Sequence, residues 1–405
     1  MTKEVEELIR TPEEHERQIN EIENAPDEET REELKTRYGI KERCILNELN
    51  GFEYTESCPP DVTHDDPLGI CIVTIRAFLR ELCINLELIP VDELNNRIRD
   101  FDYGYSEKSA KPSKITREQL LDKSAGFKQT AAQMMQLTFM LPLIVMDLVQ
   151  MEWLPMRNYL LILEIILISH ADKIPTSSLG YLDLIIAEYL ETFQITYNDT
   201  LTPKQHFLQH RCREIAKHGP LNEFKTNRME GKQQFFKRIS QDYRTFKNLA
   251  LFLAHRQHQL NQSAILTDPI ENEVQTGPLK QTDLLRQPFR RLFPQEDFLT
   301  TTSWVKINGV QYTASKCFIA VSYTENLLQF RAVQSIIWQN EEPIFVCQKV
   351  KTLELNLAVM AYEIEMLNDF ENHSFEDLFS YEAFHAHRRG EQTFIIMKKA
   401  LGPLY

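Results

Sequence analysis

The chain has 405 residues, 42% of them hydrophobic, with 59 acidic against 45 basic side chains and a formal net charge of −14. That length supports two or three domains with real cores. No apolar run reaches the roughly 18 uncharged residues that a membrane-spanning helix needs, and the opening residues are charged rather than of secretory-signal pattern, so no membrane partner is expected.

Residues 1–37 read as charged helix with weak apolar periodicity, and 38–60 as loop, with Gly39, Gly51 and the Cys58-Pro59-Pro60 stop. A strong helix is predicted from Gly69 to about residue 88, because Ile72, Ile75, Phe78, Leu79 and Leu82 recur at helical spacing. A linker follows at 103–115. The stretch 116–200 is helical, with a kink at Pro142 and breaks near Pro155 and Pro175. Thr202 and Pro203 have the chemistry of an N-cap and a first helical residue, and Gly219-Pro220 ends that helix. Further helices are predicted near 226–242 and 246–262, then a polar linker over 266–300. From Ser303 the pattern changes. Trp304-Val305-Lys306-Ile307, Asn308-Gly309 and Val310-Gln311-Tyr312 read as strand, hairpin turn and strand. Strand-like runs at 318–323, 327–338, 343–349, 353–364 and 393–398 suggest a small SH3- or Tudor-type barrel.

Seven cysteines, an odd count with no Cys-x-x-Cys pair, fit a reducing compartment, cytosol or nucleus, better than a zinc finger or a disulfide framework. The charge is polarised. Residues 1–66 hold 20 acids against 8 Lys/Arg, whereas residues 204–256 hold 12 Lys/Arg against 4 acids. A polyanion beyond a Debye length of ~8 Å would feel this local sign rather than the net charge.

Three motifs could carry chemistry. Asp61-Val62-Thr63-His64 before a helix can hold a metal or position a base, or be a capping aspartate beside a surface histidine. His206 and His210, four residues apart, can share a metal, or contact phosphate or pack in the core. Glu230, set among Arg228, Lys232, Lys237 and Arg238, suits a magnesium ligand or an ordinary salt-bridged surface glutamate. Trp304, Tyr312, Tyr323 and Trp338 are candidates for an aromatic cage or for core packing.

Taken in order, Pro59-Pro60-Asp61-x-x-His64-Asp65, Thr202-Pro203-Lys204-x-His206-Phe207-Leu208-x-His210, Gly219-Pro220-Leu221, Arg228-Met229-Glu230-x-Lys232-x-x-Phe235-Phe236-Lys237, Phe246-Lys247-Asn248-Leu249 and His255-Arg256-Gln257-His258 resemble the catalytic region of CACTA-like transposases. The likeness spans roughly residues 8–365. It implies a ribonuclease-H-like recombinase, in which three carboxylates and two magnesium ions carry out phosphoryl transfer on DNA. By motif match Glu230 would be the third carboxylate, and Asp61 and His64 the family's Asp-x-x-His element. The match departs from the family at Asp66-Pro67-Leu68-Gly69, where Leu-Leu-Glu-Gly is usual, and at Met229 and Gln233. It also places the family's other catalytic aspartates and its cysteine-rich segment upstream of this chain.

The expectation is therefore an α+β protein. An acidic segment (1–58) precedes a mainly helical body (59–265), which is a partial ribonuclease-H-like core with its helical insertion. A linker (266–300) and a small SH3/Tudor-like β-barrel with a C-terminal extension (301–405) follow. Functionally the resemblance implies a nuclear or else cytoplasmic, transposase-derived and catalytically incomplete protein. It would bind DNA through Lys204, Arg211, Arg228, Lys232, Lys237, Arg238, Lys247 and Arg256. Magnesium-dependent strand transfer if complemented by an upstream segment, and peptide or chromatin binding by the barrel, are the alternatives.

Overall fold

Pro142 sits inside the helix Ala131–Val145 and cannot donate to the carbonyl four residues back. That carbonyl, on Thr138, instead accepts from the Tyr159 hydroxyl at 2.8 Å. A neighbouring helix thus supplies the donor that proline removed, and the helix runs through the predicted kink. The computed structural model describes residues 10–243, 248–266, 274–284 and 287–401. It divides into two units, Met1–Pro60 and Asp61–Tyr405.

In the first unit, α1 (Pro12–Glu23) is capped by Thr11 and α2 (Glu28–Tyr38) by Asp27. Gly39 closes α2 in the left-handed conformation that a side chain disfavours. Ile19, Ile22 and Ile40 form a small apolar cluster. Arg43 bridges Glu16 and Glu23 across the surface.

The second unit begins with α3 (Cys71–Arg80), flanked by π-helical turns at Asp66–Ile70 and Glu81–Asn85. Cys71, Thr74, Ile75, Phe78, Leu79 and Leu82 are buried, the stripe expected of one helix face. There follow α4 (Val91–Asp100), α5 (Ala131–Val145), α6 (Leu154–Ser169) and α7 (Leu179–Tyr197). α5 and α6 bury most of their side chains, so they form the centre of the helical layer. The expected helix over 203–217 is two, α8 (Pro203–Leu208) and α9 (Arg211–His218). The Tyr189 hydroxyl ties α8 to the rest, contacting Thr74 Oγ1 at 2.7 Å and accepting from Gln205 Nε2 at 3.2 Å. α10 (Asn227–Tyr243) and α11 (Leu249–Leu266) follow.

The segment expected to be a linker carries strands β1 (Gln275–Thr276), β2 (Lys280–Asp283) and β3 (Phe298–Thr302). β4 (Trp304–Ile307) and β5 (Val310–Thr313) form the predicted hairpin. Asn308 and Gly309 have φ of 51° and 85°, as its tight turn requires. β6 (Phe318–Thr324), β7 (Leu327–Gln339), β8 (Glu342–Asn356), β9 (Ala361–Ser374), β10 (Ser380–Phe384), β11 (Ala386–Arg389) and β12 (Gln392–Ile396) make an antiparallel sheet in the order β10-β6-β7-β8-β9-β12-β11. β7 matches the expected run 327–338, whereas β8 and β9, with 15 and 14 residues, extend well beyond the expected runs 343–349 and 353–364.

The fold is thus α+β, with a helical body followed by an antiparallel sheet. The two share one core. Phe330, Tyr362, Phe394 and Ile395 of the sheet belong to the same buried cluster as Ile75, Leu141 and Ile166 of the helices. The seam is also polar. The Ala400 amide donates to the Leu167 carbonyl at 2.8 Å, and Arg389 pairs with Asp147 at 2.8 Å.

Candidate functional site

Asp61 caps the short helix Val62–Asp65, its Oδ1 accepting from the Thr63 amide at 3.0 Å. The same carboxylate does more than cap. Its Oδ2 accepts from Thr226 Oγ1 at 2.6 Å and contacts His64 Nδ1. The Thr226 carbonyl in turn accepts from the Glu230 amide at 2.9 Å, so Asp61 is tied to the start of α10. Burial pushes the Asp61 carboxyl up, but the hydrogen bonds from His64, Thr226 and the Thr63 amide outweigh it and hold the group at about 2.

The first turn of α10 places Glu230 Oε1 3.5 Å from His64 Nε2. The sequence-predicted residues Asp61, His64 and Glu230 therefore meet in a row, with the imidazole between two carboxylates. Asp61 fixes the ring through Nδ1, which leaves Nε2 at the surface beside Glu230. A carboxylate-oriented imidazole of this kind can accept or deliver a proton. The arrangement does not fit a magnesium ion. Magnesium takes oxygen ligands in near-octahedral geometry at about 2.0–2.1 Å, whereas here an imidazole separates the carboxylates and both Asp61 oxygens already accept hydrogen bonds. Among the described residues no group of three or more His, Cys, Asp or Glu is placed to hold a metal ion.

Next to this row lies an ion cluster with a different character. Asp65 pairs with Lys204 at 2.7 Å. Gly69 makes room for that lysine, since a Cβ there would stand 3.2 Å from Lys204 Cγ. Asp66 is buried. It accepts from Arg211 Nη2 at 2.7 Å and Nη1 at 3.0 Å, and contacts His170 Nε2 at 2.8 Å. Burial raises the Asp66 carboxyl, yet the Arg211 charge and the His170 contact bring it well below the usual carboxylate range. Burial lowers His170 more than Asp66 raises it, which favours a neutral ring. Nothing local in the sequence signals the role of Asp66, because its partners lie 104 and 145 residues away.

The predicted DNA-contacting residues separate. Arg211 is 2% exposed and committed to Asp66, so it cannot reach a phosphate, a correction to its expected role. Lys204 is half committed to Asp65. Lys232, Lys237 and Arg238 are exposed on α10. Arg256 lies on α11, donates to Gln259 Oε1 at 3.2 Å and sits over the Phe252 ring. The Arg228 side chain and Lys247 lie outside the described residues. His206 and His210 face each other, Nε2 to Nε2, at 3.3 Å. Two imidazole nitrogens on one tetrahedral zinc would be roughly that far apart, but among the described residues no third ligand joins them.

The cage candidates do not converge. Tyr312 is buried in the core and its hydroxyl donates to the Tyr381 carbonyl at 2.6 Å. Tyr323 and Trp338 lie near opposite ends of β7, opposite Leu328 and Pro343. No protein-family model matches the chain, and searches of curated proteins and of solved structures returned no match.

Proposed function

We propose that this chain is a transposase-derived, nuclear DNA-binding protein, catalytically incomplete by itself, that grips duplex phosphates through α10. The observation that carries the reading is one helix that presents Lys232, Lys237 and Arg238 to solvent while its first turn brings Glu230 to the Asp61–His64 pair. Cations on an exposed helix neutralise phosphates without reading bases, so the binding would be sequence-independent. On this reading the helical body corresponds to the helical insertion and last catalytic helix of a ribonuclease-H-like recombinase. The test is a filter or gel assay with a labelled duplex over a salt series. Binding should be strong at low salt and lost when Lys232, Lys237 and Arg238 are all replaced by alanine. No binding at low salt, or no effect of the triple replacement, overturns the proposal.

The carboxylate-held His64 beside Glu230 favours a second reading, DNA strand transfer or nicking in which that imidazole moves a proton while a complementing chain supplies the magnesium ligands. Nicking of a labelled duplex in the presence of such a chain that is abolished by Glu230→Gln supports it, and absence of cleavage with that chain added refutes it. Peptide binding by the sheet, in the manner of an SH3- or Tudor-like module, is favoured by the stacked pairs Tyr323–Phe379 and Phe375–Tyr381, whose Phe379 and Tyr381 are 43% and 53% exposed.

A further inference from the structure

His206 and His210 meet where two helices join. His206 lies in the last turn of α8, and His210 is the N-cap residue of α9, where its side chain makes no capping hydrogen bond. Short backbone bonds fix the junction. The Gln209 amide donates to the His206 carbonyl at 3.0 Å, the His210 amide to the Phe207 carbonyl at 3.2 Å, and the Glu214 amide to the His210 carbonyl at 3.0 Å. On its inner side α8 is held by the Thr202–Gln205 capping box and by buried Gln205 and Leu208. The two imidazoles stand on the outer side, His206 exposed and His210 partly so. They meet edge to face, 5.0 Å between centroids and 81° between planes, with Nε2 3.3 Å from Nε2.

That distance carries information. Zinc holds an imidazole nitrogen at about 2.0–2.1 Å, so two such ligands at the tetrahedral angle stand about 3.3–3.4 Å apart, and two at a right angle about 2.9 Å. The observed 3.3 Å matches the tetrahedral value. Imidazole also suits zinc far better than magnesium, which prefers oxygen.

Protons balance as well. Two neutral imidazoles that meet nitrogen to nitrogen share one hydrogen. A metal ion in its place needs both Nε2 lone pairs. The hydrogen then moves to Nδ1 of its own ring, so both rings stay neutral and no proton is lost overall.

The surroundings do not repel a cation. The Lys204 ammonium is turned to Asp65 at 2.7 Å. Arg213 and Glu214 both act on His210, with opposite charges. Glu214 is itself paired with His218 at 3.3 Å, which keeps it out of the ligand set. Among the described residues no third side chain joins the pair, which leaves open positions for solvent.

We propose that His206 and His210 bind one zinc ion through their Nε2 atoms, with water in the other two positions, and that the ion staples the junction of α8 and α9. The inference is independent of DNA binding, because it uses neither histidine's neighbours on α10 nor any phosphate contact.

The experiment is titration calorimetry of the untagged, chelator-treated full chain with zinc chloride and with magnesium chloride. Zinc should bind saturably, with one component that weakens roughly 100-fold in His206→Ala and in His210→Ala, because each variant loses the gain of a second ligand on the same scaffold. His255→Ala, an exposed histidine on α11, should leave that component unchanged. Magnesium should give no such component. Each variant is checked for a cooperative melt. If either fails to fold, the ring resonances of His206 and His210 are followed in the unaltered protein, and both should shift together on adding zinc. No saturable zinc binding overturns the proposal. So does a zinc isotherm in either variant equal to the parent's, or a pair of ring resonances that zinc does not move.

Discussion

The Arg211 guanidinium holds the Asp66 carboxylate with two nitrogens, at 2.7 and 3.0 Å, and both side chains are 2% exposed. Neither charge can be left alone in that setting. Arg211→Met should therefore destabilise the protein by about 3–5 kcal/mol, mostly the cost of an uncompensated buried carboxylate. Replacing both residues with apolar ones, Asp66→Leu with Arg211→Met, should recover most of the loss. Denaturant unfolding measures both. An Arg211→Met protein as stable as the parent would show that the pair is not the anchor described.

Acid should act in two stages. His170 and His387 are buried, and both have basicity lowered chiefly by burial. A base whose folded pKa lies below its unfolded value of about 6.5 takes its proton first in the unfolded chain. Its contribution is thus complete above about pH 6.5 and falls as the pH drops below that. Asp61, held at about 2, and Asp66, held lower, contribute stability that is present above the unfolded carboxyl value of about 3.8 and is lost as the pH falls through their folded values. Melting temperature against pH should show a first decline starting near pH 6.5 and a second below about pH 4. In His170→Gln the first should shrink. A flat profile from pH 7 to 4 would contradict the assignment.

Asp61 and Glu230 should differ sharply in what their loss does to folding. Asp61 joins its own helix cap to Thr226 and His64, so Asp61→Ala should cost about 1–2 kcal/mol. Glu230 is 56% exposed at its side chain and meets a half-exposed His64. Glu230→Gln should leave stability within about 0.5 kcal/mol. Thermal melts of the two variants decide this, and a large effect of Glu230→Gln would place that residue in a structural role.

Gly104 has φ of 82°, and a Cβ there would lie 2.6 Å from His385 Cγ. Gly104→Ala combines an unfavourable backbone region with a clash and should cost about 1–3 kcal/mol. Gly126→Ala has open space and no such φ, and serves as the control in the same melting experiment.

If α10 carries the DNA, salt should report it side chain by side chain. Each phosphate contact removed should lower the log–log salt slope by about 0.9. Lys232→Ala, Lys237→Ala and Arg238→Ala should each do so. Lys204→Ala should change it less, because Asp65 already holds that ammonium. Equal slopes for parent and all four variants would remove α10 from the interface.

Much of the secondary structure was legible because its signals are local. Thr202 and Pro203 start α8, Gly219 ends α9, and Asn308-Gly309 turns the β4–β5 hairpin. The strands at 275–302 were hidden by the prolines between them and by their polar residues, which read as linker although β2, β3 and β7 pair in turn. The end of β8 was hidden by an apolar run at 353–364 that a turn at 357–360 divides. At the site, the Asp61–His64 spacing and Glu230 were visible as motifs, whereas Thr226, the residue that joins them, has no distinguishing signal.

What the sequence determined by itself was where the chain starts, stops and turns, since caps, prolines and positive-φ positions act within a few residues. It also showed a basic segment, because charge is a sum over composition. Only the tertiary structure decided what each charge does. Arg211 and Lys237 look alike in the sequence, yet one is sealed against Asp66 and the other faces water. Burial depends on what packs from far along the chain, and Asp66, His170 and Arg211 are drawn together across 104 and 145 residues. The same long-range packing joined the sheet to the helical body in one core, which no local pattern could state.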